Sequence, residues 1–312
     1  MVNPSPSWDA ADLRSMIHQR SQHALNCGAL QPIQTRYEFV GQGGMEFVVR
    51  VVANLARKEQ SDLNQERQRQ AGQEVNPFLP YDPDLFVTDL SATHLCLLNK
   101  YNVVEDHILI VTRAFEEQDS WLTGADLAAL ADCLGAIDGL GFYNGGRRAG
   151  ASQRHKHLQV IPPPLGPEGG PLPLAQVIAD LEMDGDAPGV PNPEAGQGYY
   201  RSPLFDFRHG ILPLPAGWWT DPTAGTQLEQ HYRHLLTHLG ADLSAPPQSF
   251  AYNLLVTRQW MVGVRRRQDR YQSIPVNSLG FAGSLLVKNE DQLALVKQLG
   301  PMTILHQVAD QG

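Results

Sequence analysis

The amino-acid sequence predicts an α+β fold with mostly antiparallel sheet, built as two unequal halves. Three observations carry that reading. Apolar, β-branched runs fall in clusters instead of alternating with helical patterns, which disfavours a doubly wound parallel sheet. An apolar hairpin pattern occurs once in each half, at residues 94–98 with 107–112 and at 250–257 (FAYNLLVT) with 259–264 (QWMVGV), and hints at an internal duplication. Between them, residues 183–200 are rich in Gly, Pro and Asp and make the best linker in the chain. The expected organisation is 1–182, a linker at 183–200, and 201–312.

Each element has its own signal. Leu13, Met16, Ile17 and Ala24 recur at helical spacing, so residues 10–25 read as an amphipathic helix. Residues 45–55 (MEFVVRVVANL) are dense in β-branched side chains and read as a strand. Residues 57–84 are polar, Gln-rich and broken by proline, the pattern of a surface insertion over or beside a site. Strands are expected at 85–88, 94–98 and 107–112, the last two joined by the turn-like Asn99-Lys100-Tyr101-Asn102. Residues 124–137 follow a helical period, and the short apolar segment 139–143 precedes the loop NGGRRAGASQR. A strand at 155–161 then stops at three prolines. Asp221 and Pro222 suit the cap and first position of a helix carrying Leu228, Tyr232, Leu235 and Leu239, with Gly240 as its stop. The last helix is expected from about Glu290 to Leu299, between Asn289 and Gly300-Pro301.

Composition narrows the function. The 312 residues include 24 Lys+Arg against 33 Asp+Glu, a formal net charge of −9, so the chain lacks the basic field of a duplex-binding protein, and no nucleic-acid partner is expected. With 42% hydrophobic and 18% charged residues it is a globular rather than a disordered composition. Cys27, Cys96 and Cys133 are far apart and odd in number, which argues against a disulfide framework or a cysteine zinc site and for a reducing compartment. No apolar run is long enough for a signal peptide or a membrane span. A cytoplasmic enzyme without a membrane partner is the expectation.

The chemistry is concentrated in Gly150-Ala-Ser-Gln-Arg-His-Lys-His-Leu-Gln159. On a strand, the period of two puts His155, His157 and Gln159 on one face and Leu158 and Val160 on the other. Two histidines and an amide then project together beside a small-residue loop whose N–H groups can face an anion. One reading is a His-x-His metal chelate, but no carboxylate or Cys lies near in sequence to complete it. The other is nucleophilic attack at phosphorus by a neutral imidazole. That chemistry needs a backbone acceptor to set the tautomer, donors such as Gln159 and Ser152 for phosphate oxygens, and cations, for which Lys58, Lys100 and Lys288 are candidates. A phosphate-binding G-x-x-x-x-G-K-[ST] loop and a G-x-S-x-G elbow are both missing, so neither a P-loop kinase nor a serine hydrolase is supported.

The run His155-Lys-His-Leu-Gln159 resembles the H-x-H-x-Q signature of the transferase branch of the histidine-triad superfamily, and most closely the diadenosine tetraphosphate phosphorylases, or ATP adenylyltransferases. The likeness extends to Asn99-Lys100-Tyr101-Asn102 with Asp106-His107, and to Asn277-Ser-Leu-Gly-Phe-Ala-Gly-Ser-Leu-Leu-Val-Lys288. The resemblance implies a histidine-triad-like fold and phosphorolysis of diadenosine tetraphosphate to ATP and ADP through an adenylylated histidine. It makes residues 1–182 the catalytic half and 201–312 the half that completes the nucleotide site. By motif position His157 is the nucleophile, with His155 and Gln159 as its catalytic companions. Lys58, Asn99, Lys100, Asn144, Gly150, Ala151, Ser152, Gln153, Asn277, Gly280, Ser284 and Lys288 are the implied substrate contacts. No protein-bound cofactor is implied; a divalent cation such as Mg travels with the substrate polyphosphate. The partners are the dinucleotide, ATP, ADP and phosphate. Related hexose-1-phosphate uridylyltransferases usually have Pro between the histidines and Cys ligands for zinc, which Lys156 and the missing C-x-x-C argue against. A uridylyl- or ADP-sulfate-type transferase, a non-catalytic dinucleotide sensor and a metal-dependent hydrolase are the rival functions.

Overall fold

The computed structural model describes residues 10–52, 76–163, 166, 170–183, 199–244 and 248–311; Lys58 and residues 184–198 of the expected linker lie outside them. Helix α1 (Ala10–Cys27) buries Leu13, Ile17 and Ala24, the stripe its periodicity marks. Strands β1 (Thr35–Gln42) and β2 (Met45–Val52) form a hairpin across Gly43 and Gly44, whose φ of 62° and 82° are the left-handed pair a two-residue hairpin turn requires. β1 was not expected, because polar residues alternate along it and it has no apolar run. β13 (Ser284–Val287) adds to β2 in parallel and completes a three-stranded sheet.

The larger sheet has eight strands, and every neighbouring pair in it is antiparallel. Its members are β3 (Phe86–Asp89), β4 (His94–Leu98), β5 (Ile108–Thr112), β6 (Leu140–Gly145), β7 (His157–Ile161), β8 (His209–Pro213), β9 (Ala251–Val256) and β10 (Trp260–Arg266), in the spatial order β3-β4-β5-β7-β6-β9-β10-β8. With α2 (Gly124–Ala136), the segment β5-α2-β6-β7 has the same connectivity as β8-α4-β9-β10, where α4 is Ala224–His238. Read outward from the β6–β9 seam, both repeats give the same strand order, and Asn144 faces Asn253 across that seam. The chain thus contains a repeat of three strands and a helix, but not through the two hairpins that hinted at it: β9–β10 corresponds to β6–β7, β8 to β5, and β4 lies outside the repeat.

Helices α1, α2 and α4 cover one face of this sheet, packing on Ile108, Ile110, Leu158, Val160, Leu254 and Val256. The other face meets α3 (Pro173–Met183), the three-stranded sheet, α6 (Glu290–Leu299) and α7 (Pro301–Val308). Apolar packing on this second face is interrupted. A small cluster on β4 and β5 (Leu95, Leu97, Leu109, Val111 with Phe78) is separate from the main one around Phe142 and Leu255. The polar residues of β7 stand in that gap.

Caps show where the local signals were right. Asn289 accepts the Gln292 N–H at 3.0 Å and starts α6 as expected. α4 instead follows Thr223, and the Asp221 carboxylate accepts the Thr223 N–H at 2.7 Å in the turn before it. Gly300-Pro301 ends α6 but does not end the helical region: proline at the first position opens α7. After β10 come the short pair β11 (Arg270–Tyr271) and β12 (Ile274–Pro275) and then the single turn α5 (Ser278–Phe281).

Candidate active site

β7 begins at His157, two residues later than the alternation predicts, and His155 makes only an isolated bridge to Glu117. Lys156 explains the delay. Its fully buried ammonium points to the helix-covered face, donating to Asp126 Oδ2 at 2.8 Å, Glu116 Oε2 at 3.0 Å and the Trp121 carbonyl at 3.1 Å. Burial alone would raise the Asp126 carboxyl, but the His94 hydrogen bond and Lys156 outweigh it and hold the group at about 2. Asp126 also closes a capping box with Thr123 at the start of α2. Lys156 therefore pins the histidine run to the core, while His155 and His157 face the opposite side.

His157 is 5% exposed, and its Nδ1–H donates to the His155 carbonyl at 2.8 Å. That bond fixes the tautomer: the proton sits on Nδ1 and the lone pair on Nε2, which has no hydrogen-bond partner among the described residues. The main chain of His157 is held by Gln118, which accepts its N–H at 2.8 Å and donates from Nε2 to its carbonyl at 3.1 Å and to the Asn144 carbonyl at 3.0 Å. The Phe78 ring lies 5.4 Å from the imidazole. Burial, only partly offset by the bond to the His155 carbonyl, lowers the His157 pKa to about 4.

Gln159 follows on the same face, partly exposed. Its Oε1 accepts from His107 Nε2 at 3.0 Å, and His107 Nδ1 in turn accepts from the Asn99 amide at 3.1 Å. Burial holds His107 at about 4, so the ring is neutral and its single N–H is committed to Gln159. The consequence is directional. With the amide oxygen occupied, the Gln159 NH2 is the end left for an incoming acceptor.

His155 is built differently. Its Nε2 donates to the Thr112 carbonyl at 2.7 Å and its Nδ1 accepts from Asn76 Nδ2 at 3.0 Å, between the rings of Phe78 and Phe115. Both ring nitrogens are engaged, so the two histidines do not offer converging lone pairs, and the chelate reading gains no support from this geometry. What His155 contributes is its carbonyl, aimed at His157.

The other expected contacts separate into two groups. Asn144, Gly150 and Asn277 meet at one corner beside His157. Asn144 Oδ1 accepts from Asn253 Nδ2, Ser278 N and Ser278 Oγ at 2.8–2.9 Å, so that oxygen is committed to the framework. Gly150 has φ 90°, and a Cβ there would stand 2.6 Å from the Val276 carbonyl and 2.9 Å from Asn277 Cα. Ala151 and Gln153 are partly exposed and Ser152 is exposed in the loop after it. Asn277 caps α5 through the Leu279 N–H at 3.0 Å, and Gly280 is buried against Val276. Lys100 is partly exposed in the β4–β5 connection beside Asn99. Ser284 and Lys288 lie farther along, at the start of β13 and just past its end, with Lys288 exposed.

Sequence reasoning missed three contributors. Gln118 sits in an irregular segment and carries no motif. Arg266 stands in the run Arg265-Arg-Arg267, which carries no motif, yet it is 3% exposed; it donates to the Ala149, Val276 and Gln268 carbonyls at 3.2, 2.9 and 2.7 Å and also bonds Asn253 Oδ1. Ser278 was passed over inside the motif that contains it. The signal that could have found Arg266 and Ser278 is the pairing of the two halves, which only the β6–β9 seam reveals.

Comparison with known proteins matches both halves. A family described as the Ap4A phosphorylase N-terminal domain matches residues 3–180, and one described as the ATP adenylyltransferase C-terminal domain matches residues 203–311. Diadenosine tetraphosphate phosphorylase 2 of Saccharomyces cerevisiae is 28% identical, over 90% of this chain and 89% of its own length. Protein APA1 of the same yeast is 26% identical over 92% and 90%. The crystal structure of yeast Ap4A phosphorylase Apa2 in complex with Ap4A superposes with a TM-score of 0.74 at 25% identity, covering 96% of this chain and 99% of that one. With the two family models together matching residues 3–180 and 203–311, the chain belongs to the Ap4A phosphorylase / ATP adenylyltransferase family.

Proposed function

We propose that the protein splits diadenosine tetraphosphate with inorganic phosphate into ADP and ATP, carrying the adenylyl group on His157 Nε2. Membership of the family supports the reaction. The observation that carries the nucleophile assignment is the hydrogen bond from His157 Nδ1 to the His155 carbonyl, because it leaves Nε2 as the basic nitrogen. In the first step Nε2 bonds to the α-phosphorus, the bond from phosphorus to the bridging oxygen breaks, and ATP departs. Positive charge develops on the ring as the N–P bond forms, and the His155 carbonyl, already hydrogen-bonded to Nδ1–H, stabilises it. In the second step a phosphate oxygen attacks the same phosphorus, the N–P bond breaks, and ADP and neutral His157 result.

The surrounding groups fit these charges. Gln159, turned by His107, directs its NH2 toward the phosphoryl oxygens. The N–H groups of Gly150 and Ala151 are taken by the Arg147 and Gly146 carbonyls, so Ser152 and the Lys58, Lys100 and Lys288 ammonium groups are assigned to the polyphosphate, with a divalent cation accompanying it as part of the substrate. A covalent intermediate also avoids bringing the dinucleotide and phosphate, both highly charged, into one water-poor site together.

Intact-protein mass measurement after mixing with diadenosine tetraphosphate, without phosphate, tests the proposal. The expected result is one AMP-sized increment located on His157 and discharged as ADP when phosphate is added. ATP formation with no increment at any time would overturn it.

A further inference from the structure

Away from the histidine cluster, the last turn of α1 carries His23 and Cys27, four residues apart and so on one face of the helix. Asp84, in the short turn Pro83–Leu85, lies opposite them: His23 Nε2 is 2.8 Å from Asp84 Oδ1, and the imidazole nitrogen, Cys27 Sγ and a carboxylate oxygen all lie within 4.8 Å of one another. Both supports are rigid. Gly28, φ 78°, ends the helix immediately after Cys27, and on the other side Asp82 accepts the Asp84 N–H at 3.0 Å while Leu85 packs into the same core as Leu13 and Ile17. His23 and Cys27 are exposed and Asp84 is partly so, leaving room for an ion and a water.

We propose that His23 Nε2, Cys27 Sγ and a carboxylate oxygen of Asp84 bind one divalent transition-metal ion of the zinc class, with water as the fourth ligand. A thiolate, an imidazole and one carboxylate suit a borderline-soft, tetrahedral ion; Mg or Ca, which take oxygen ligands, do not match this set. Binding breaks the His23–Asp84 hydrogen bond. The proton that Nε2 donates to Asp84 leaves that nitrogen and the ring is left with its one proton on Nδ1, exchanged through solvent, so that Nε2 is free for the metal; the thiol proton is released to solvent as the metal–sulfur bond forms, with no change of oxidation state. Arg20 on α1 acts electrostatically on Asp84 and opposes the cation, so affinity stays below that of a buried four-ligand site. The ion staples α1 to the stretch 76–85, whose Asn76 and Phe78 rest on His155 and His157. The metal is structural and is separate from the chemistry assigned to His157.

The test uses the full chain, stripped of metal, titrated with cobalt(II) as a spectroscopic substitute and then with zinc. One equivalent of cobalt is expected to give tetrahedral visible bands and a near-ultraviolet thiolate charge-transfer band, both removed by zinc. Cys96 and Cys133 are fully buried, so the charge-transfer band reports on Cys27. Cys27→Ser should abolish that band, and Asp84→Asn should weaken cobalt binding about tenfold or more; both replace exposed or part-exposed groups and should leave the far-ultraviolet circular dichroism unchanged. No band at saturating cobalt, a band that persists in Cys27→Ser, or unaltered affinity in Asp84→Asn overturns the proposal.

Discussion

Burial of His157 has two consequences for its chemistry. It keeps the ring neutral, and so nucleophilic, far below the pH at which a solvent-exposed imidazole takes a proton, and it leaves the ring dependent on one carbonyl to choose its tautomer. With the pKa lowered to about 4, kcat/KM is expected to show no loss from this group between pH 8 and about pH 5 and to fall only below that. A kinetic pKa near 6.5 assigned to His157 by ring NMR would refute the buried, neutral nucleophile. His157→Ala should abolish turnover and leave dinucleotide affinity within about an order of magnitude, since the imidazole acts mainly in the transition state; equilibrium binding and turnover on the same preparation check both halves. Gln159 and His107 act as a unit on this reading. Gln159→Ala is expected to lower kcat about a hundredfold, the usual effect of losing one donor to a developing charge. His107→Leu, which frees the amide to rotate, should lower kcat about tenfold with little change in KM, and the double variant should be no slower than Gln159→Ala alone. Independent, multiplying effects in that cycle would show that His107 does not act through Gln159.

At the scale of elements, the site depends on a loop from one repeat held by the other. Arg266 on β10 ties the Ala149 carbonyl to those of Val276 and Gln268, and Gly150 lets the two loops touch. Gly150→Ala places a Cβ 2.6 Å from a carbonyl oxygen at a φ of 90°, so it should destabilise the fold by about 2 kcal/mol and displace the 150–153 loop. Arg266→Met leaves buried carbonyls without donors and should destabilise by about 3 kcal/mol or more. Denaturant melts measure both, and wild-type stability in either variant would remove the contact from the account. This coupling also marks what the sequence could disclose. The β4–β5 and β9–β10 hairpins were legible because their strands are buried on both faces and so form continuous apolar runs, and α1, α2 and α6 because each buries one face and repeats its apolar residues at a helical period. β1 alternates but is half exposed, β8 is five residues long with a glycine inside, and α7 starts where Gly-Pro usually signals an end. His155, His157 and Gln159 were legible because a strand keeps nearby residues on one face. Gln118, 39 residues from His157, was not, because its role follows from long-range placement of two main-chain groups. Arg266 was hidden for the same reason, since nothing local distinguishes a buried clamp from an exposed strand end.

Taken as a whole, the molecule places neutral histidines at corresponding points of its two repeats. His107 stands just before β5, and His209 opens β8, the strand in the equivalent position. His107 turns Gln159, whereas His209 donates from Nδ1 to the Phe207 carbonyl at 2.9 Å and accepts the Ser202 N–H at 2.9 Å, so the second repeat uses its ring to hold chain segments together. Burial is the largest influence on His107, His157 and His209 alike, and lowers each from 6.5 to about 4. In the unfolded chain all three return to the ordinary value, so between pH 6.5 and 4 the unfolded state binds more protons than the folded one. The contribution of these three rings is therefore full above pH 6.5, declines as the pH falls through that window, and stops declining below about 4, while Asp132, raised by burial to about 6, acts in the opposite direction over much of the same range. Each ring can contribute up to about 3 kcal/mol of the loss, at 1.36 kcal/mol per unit of pKa difference. Asp126, held at about 2, adds its own loss only at lower pH, so the two sources are separable. Urea melts from pH 7.5 to 4 should show a fall in unfolding free energy, and His209→Gln, which cannot take a proton, should make that fall shallower while lowering the plateau at neutral pH. An unchanged slope in that variant would mean that the ring is protonated in the folded protein, and that the second repeat does not hold a neutral histidine against the Ser202 N–H.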